Sequence, residues 1–207
     1  MLKSLSYKQV LELGKFELEV KKSRFIVRYS PIASRDDAIA FVDRWRAAFP
    51  DARHHCWAFC LGSPQCPKQV GMSDDGEPTG TAAKPILNSI IGKEVGDVCV
   101  VVIRYFGGTK LGAGGLIRAY GGSVSQAFDL AQTRTVRPKE TFELECDFSQ
   151  EQKVRHWVKT HLGEILSVDY RERVVIAIEL ETGKSKDVLE FTSAHAIKFS
   201  TEESNDQ

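Results

Sequence analysis

The sequence predicts an α/β (α+β) chain of two domains, and three observations predict it. Strand and helix patterns alternate along residues 16–132, around a continuous Val/Ile run, VGDVCVVVI, that suits a strand buried on both faces. The charge balance then reverses. Residues 1–133 carry 17 Lys and Arg against 13 Asp and Glu, and residues 134–207 carry 11 against 15. Beyond the reversal the patterns run in the order βαββαβ, that of a ferredoxin-like fold. We place the first domain at 1–136 and the second at 137–207, because 207 residues suffice for one large core or two small ones.

In the first domain, FELEV (16–20) alternates apolar and acidic residues, the period of a half-buried strand. Lys21 and Lys22 turn the chain into a second strand, RFIVRYS (24–30). A helix over 34–49 follows. Ser34 and Asp37 have capping-box spacing, Ala38, Phe41, Val42, Trp45 and Phe49 make its apolar stripe, and Pro50 stops it. HHCWAFCLG (54–62) reads as a strand and SPQCPKQVG (63–71) as a loop, with Pro64 and Pro67 against regular structure. An acidic segment, SDDGEPTG (73–80), precedes a short helix that starts near Pro85 and takes Gly92 as its terminal glycine. The buried strand occupies 97–106 and a long helix 116–132. Residues 134–140 read as a polar, basic connection.

In the second domain the predicted elements are a strand over 141–148, a helix with Ser149 and Gln152 at capping-box spacing, and a hairpin over 164–180. Val174, Ile176, Ile178 and Leu180 share one face of that hairpin. A helix over 185–194 and a last strand over 196–200 complete it. The final TEESNDQ is expected to fray.

Composition narrows the function classes. No apolar run approaches the roughly 20 residues of a membrane span, and the N-terminus lacks a signal-peptide pattern, so we expect a cytoplasmic protein without membrane contact. The five cysteines, Cys56, Cys60, Cys66, Cys99 and Cys146, are then expected to be free thiols. His54, His55, Cys56 and Cys60 invite a zinc reading. Their spacing is wrong for a C-x₂-C knuckle, and a strand points neighbouring ligands to opposite faces, so no metal is assigned. Net charge is zero, unlike the strongly basic footprint of a dedicated nucleic-acid binder.

The candidate site centres on RYFGGTKLGAGGLIRAYGG (104–122), which holds seven of the chain's 16 glycines. A strand, a glycine loop and a helix in that order can aim backbone N–H groups and a helix N-terminus at an anion. The candidate binding residues are Lys84, Arg104, Gly107, Gly108, Lys110, Gly112, Gly114, Gly115 and Arg118. Neither a Walker loop nor a full G-x-G-x-x-G is present, which sets aside the familiar nucleotide motifs. Asp74, Asp75 and Glu77 form an acidic cluster that could hold Mg²⁺ or pair with Lys84 and Arg104. An Asx-rich turn is the simpler account, since adjacent carboxylates bind cations weakly without a shared phosphate. No nucleophile elbow occurs and no acid–base set assembles, so no catalytic residue and no cofactor is assigned.

Two of these stretches carry a resemblance. SDDGEPTGTAAKPIL (73–87), followed by VVVIRYFGGTKLGAGGLIRAYGG (100–122), looks like the signature of the YigZ/IMPACT family, and DARHHCWAF (51–59) resembles the strand before it. Ala83 departs from the glycine of many members. The resemblance covers about 16–130 strongly, and the tail resembles the small C-terminal domain of the bacterial branch. It implies that the first domain has the α/β fold of the second domain of a small-subunit ribosomal protein, shared with elongation factor G domain four and the GHMP kinases. It implies a tail like elongation factor G domain five. It also implies an association with translational regulation, through protein partners and ribosomes.

The expected function is therefore a non-catalytic, RNA- or ribosome-associated regulator of translation that binds through the glycine-rich face. Its expected partner is RNA, the ribosome or a translation-associated protein. The alternatives are a small-molecule or nucleotide-binding enzyme of GHMP-kinase-like fold and a protein–protein adaptor.

Overall fold

The structure, a computed structural model, describes residues 6–201. Its chain divides into two compact units, Ser6–Val136 and a second that begins at Arg137.

In the first unit, β1 (Tyr7–Val10) leads to β2 (Gly14–Val20) and β3 (Ser23–Pro31), a hairpin turned by Lys21 and Lys22 at φ 49° and 67°. Helix α1 (Arg35–Ala48) follows, and its capping box is complete: Ser34 Oγ accepts from the Asp37 N–H, and the Asp37 carboxylate accepts from the Ser34 N–H. Then come β4 (His54–Ser63), β5 (Cys66–Ser73), α2 (Ala83–Gly92), β6 (Val98–Tyr105), α3 (Gly112–Asp129) and β7 (Thr133–Val136). Five strands form one antiparallel sheet in the order β2-β3-β6-β4-β5.

Burial of β6 on both faces follows from its alternation. Val98, Val100 and Val102 join the core under α2 and α3, with Ile86, Ile90, Tyr120 and Val124. Cys99, Val101 and Ile103 join the core under α1, with Ala38, Phe41 and Val42. A central strand sandwiched between helices needs apolar residues at every position, hence the continuous run.

Four local expectations are corrected. Residues 66–73 are a strand and not a loop. Pro67 lies opposite Gly62, beside a register shift, and β5 is the sheet edge, where a missing N–H is tolerated. Residues 133–136 are strand β7, paired antiparallel with β1. Its residues are mostly exposed, so no hydrophobic period announced it. Helix α3 starts at Gly112, four residues earlier than expected, because its first turn holds no large apolar residue for periodicity to detect. Gly92 is the last helical residue of α2, and the left-handed step falls to Glu94, at φ 56°.

The second unit contains β8 (Lys139–Cys146), a 3₁₀ turn (Phe148–Gln150), α4 (Glu151–Thr160), β9 (Glu164–Tyr170), β10 (Val174–Glu181), α5 (Ser185–His195) and β11 (Lys198–Thr201). The strand order β11-β8-β10-β9, all antiparallel, is the ferredoxin-like arrangement. Val174, Ile176, Ile178 and Leu180 face one core with Val154, Val158 and Val188. The α4 entry is fixed by the Gln150 side chain accepting from the Asp147 N–H, and not by the expected Ser149–Gln152 pair. The 3₁₀ turn displaces the helix start by two residues. TEESNDQ lies outside the described residues, apart from Thr201. Among the described residues no helix is long and apolar enough to cross a membrane.

Candidate functional site

Three sequence stretches converge at the end of β6. Register places His54 of β4 opposite Arg104 of β6, and Arg24 of β3 opposite Tyr105. The chain then leaves the sheet through residues 106–111 and enters α3. Gly107 is required by close approach: a Cβ there would lie 2.0 Å from the Lys22 carbonyl carbon, so the loop rests on the β2–β3 turn. The Gly107 N–H donates to Ser23 Oγ at 3.2 Å, and Gly112 opens α3 at φ 71°.

The acidic segment is explained by hydrogen bonding. The Asp74 carboxylate accepts from the N–H groups of Gly80, Ala82 and Ala83 at 2.8, 3.0 and 2.8 Å, and so caps α2, whose own N-cap Ala82 has no capping side chain. Burial opposes ionisation of Asp74, yet these three donors hold its pKa below the usual carboxylate value. Asp75 accepts from the His55 N–H at 2.7 Å and pairs with Arg46 at 2.9 Å. Glu77 Oε1 accepts from Arg104 Nη1 at 2.6 Å and from the Tyr120 hydroxyl at 2.8 Å. Tyr120 in turn accepts from the Cys56 thiol at 3.3 Å. Burial pushes the Tyr120 and Cys56 pKa values well up, so both stay protonated. Among the described residues no cluster of His, Cys, Asp and Glu could hold a metal ion.

This network corrects the expected role of Arg104. It is not an exposed phosphate contact. It is 6% exposed, paired to Glu77, and flanked by the rings of Phe25 and Phe106 at 5.6 and 5.7 Å. Its Nε has no hydrogen-bond partner among the described residues.

Beside Arg104 a pocket of about 380 Å³ opens, lined in part by Arg53, His54, Glu77, Phe106, Lys110 and Gly112. Of the expected site residues, Arg104, Lys110, Gly112 and Glu77 line it. Lys84 and Arg118 are exposed on α2 and α3 and do not. Gly107 and Gly108 shape the approach, and Gly114 and Gly115 lie in the first turn of α3. Asp74 serves the backbone instead, and Asp75 holds the His55 N–H and the Arg46 side chain. Sequence reading missed Arg53 and Phe106 as lining residues. Arg53 lies in DARHHCWAF, one of the stretches that carry the resemblance, but strand neighbourhood across β4 and β6 is not written in either stretch. The His54 Nδ1–H donates to the Asp75 carbonyl at 2.9 Å, which leaves Nε2 as the nitrogen open to a ligand.

A family model for the Impact N-terminal domain matches residues 21–128, just over half of the chain. The chain is 42% identical over 182 residues to the Escherichia coli (strain K12) protein described as IMPACT family member YigZ, covering 88% of this chain and 87% of that one. The chain belongs to the IMPACT family. A Haemophilus influenzae family member is 40% identical over 186 residues, covering 90% and 88% of the two chains. A crystal structure described as that of a hypothetical protein superposes with a TM-score of 0.62 at 36% identity, covering 94% of this chain and 96% of that one. In the second unit, residues 144–191 match a domain of unknown function, DUF1949. Every residue that lines the pocket falls inside the IMPACT match. The family signature therefore encodes two things here: the buried Cys56–Tyr120–Glu77–Arg104 network and the pocket that rests on it.

Proposed function

We propose that this IMPACT protein binds single-stranded RNA through the face around the pocket, without catalysis, and acts in translation as the family resemblance implies. The observation that carries the reading is the pocket's charge and its aromatic ring. Arg53 and Lys110 flank it, and Phe106 is 52% exposed at its edge. The one carboxylate in the lining, Glu77, is already paired with Arg104. Cations beside an exposed aromatic ring suit a strand whose phosphates are neutralised while a base stacks. Lys22, whose backbone packs on Gly107, brings the β2–β3 turn and its two lysines beside the same loop. A chain of zero net charge that meets RNA through this face contacts few phosphates, hence a modest salt dependence.

Fluorescence anisotropy with a short single-stranded RNA, at several salt concentrations, tests this. Phe106→Ala should weaken binding by about 1–3 kcal/mol. Lys110→Ala should reduce the slope of log K against log salt by about 0.7. Unchanged affinity and slope in both folded variants would overturn the assignment.

A further inference from the structure

The pocket face can read a sugar as well as a phosphate and a base. We infer that His54 accepts a hydrogen bond from a ribose 2′-hydroxyl of the bound strand, so that the face prefers RNA to DNA of the same sequence. This preference rests on the binding face proposed above.

The tautomer of His54 makes it an acceptor. Its Nδ1 lies 2.9 Å from the Asp75 carbonyl oxygen, which has no hydrogen to give, so Nδ1 carries the ring hydrogen. In the neutral ring Nε2 then offers a lone pair. That nitrogen has no hydrogen-bond partner among the described residues, and His54 lines the pocket. The carbonyl that fixes the ring is itself anchored. The Asp75 carboxylate accepts from the His55 N–H at 2.7 Å and pairs with Arg46 at 2.9 Å. The ring is held in one orientation before a ligand arrives, which lowers the cost of binding.

Chemistry and position together select the 2′-hydroxyl. A lone pair repels a phosphate oxygen, so phosphate is left to Arg53 and Lys110, which only donate. The buried Glu77 carboxylate is occupied by Arg104 and the Tyr120 hydroxyl. Arg53 directly precedes His54, and register places His54 opposite Arg104, two residues before Phe106. His54 thus stands between a cation suited to phosphate and the ring on which a base stacks. In a nucleotide the sugar stands between phosphate and base. Inside a strand the 2′-hydroxyl is the only donor on that sugar, and it is the group that separates RNA from DNA.

The test uses the full chain and three labelled oligouridylates of one length, with ribose, 2′-fluoro or 2′-deoxy sugars. The base is constant, and the 2′-fluoro sugar keeps the pucker of RNA but cannot donate to Nε2. We expect the ribose probe to bind about fivefold tighter than either of the others, the scale of one neutral hydrogen bond. His54→Asn should bring the affinity for ribose down to that for the 2′-fluoro probe while the melting temperature is kept. The Asn amide can replace Nδ1 toward the Asp75 carbonyl and puts nothing at the place of Nε2. A preference shared by the ribose and 2′-fluoro probes over the deoxy probe overturns the inference, since pucker then accounts for it. Equal binding of all three removes the hydroxyl contact and leaves the binding face standing. A ribose preference that persists in His54→Asn overturns the assignment to His54. Absence of binding by every probe removes the face and the preference together.

Discussion

Arg104 Nη1 donates to Glu77 Oε1 across 2.6 Å, and the two residues are 6% and 9% exposed. The pair joins β6 to the acidic segment after β5, 27 residues away in sequence. Removing one partner of such a pair leaves the other charged and buried. We expect Arg104→Ala to cost about 3–5 kcal/mol in urea denaturation, with Glu77→Ala similar. The double variant should lose less than the sum of the two, because the shared interaction is lost only once.

Asp74 acts through backbone donors alone. Asp74→Ala frees three N–H groups, two of them at the start of α2. The expected loss is about 1–2 kcal/mol, the scale of a helix cap, read as a lower urea midpoint. Asp74→Asn keeps one acceptor oxygen and should recover part of it.

How much of this was legible in the sequence follows from the kind of signal each feature leaves. The β6 run, the α1 capping box and the β10 alternation are local patterns, and the chain folds as they read. β5 and β7 are held by backbone pairing at exposed positions, so their side chains carry no period. The glycines announced the α3 entrance, but they are silent about where the helix begins. The acidic cluster reads as an Asx-rich turn able to pair with Lys84 and Arg104, but the sequence does not say which carboxylate does which, and it is Glu77 that pairs with Arg104. That the cluster is consumed by backbone capping and a buried pair depends on β4, β5 and β6 lying side by side, a long-range fact that no window of sequence holds. Phe106 lies within the glycine-rich signature, but no local pattern there marks its ring as exposed.

His55 supplies a pH dependence. It is 6% exposed, and its Nε2–H donates to the Phe49 carbonyl at 3.1 Å. Burial lowers its pKa below the usual 6.5, with Asp75 opposing the shift. The unfolded chain therefore binds a proton at a pH where the folded chain does not. The stabilising contribution is complete above about pH 6.5 and is lost as pH falls toward the depressed folded value. We expect the urea midpoint to fall as pH drops from 7 toward 5, and His55→Gln to flatten that slope.

The five thiols should separate by access. Cys66 is exposed at the start of β5, while Cys56, Cys60, Cys99 and Cys146 are buried. Burial also pushes Cys60 up to about 11 and Cys99 to about 12, so neither offers a thiolate at neutral pH. Titration with Ellman's reagent under native conditions should show one fast thiol, and the other four only after denaturant is added. Cys66→Ser should abolish the fast phase.

The most direct test of RNA binding at the pocket face is photocross-linking of a 4-thiouridine-containing single-stranded RNA to the full chain, with the adducts mapped by mass spectrometry. Adducts on peptides that hold Arg53–His54 and Phe106–Lys110, reduced in Phe106→Ala, are the expected result. Adducts confined to the unit that begins at Arg137, or none at an RNA concentration where binding saturates, would contradict it.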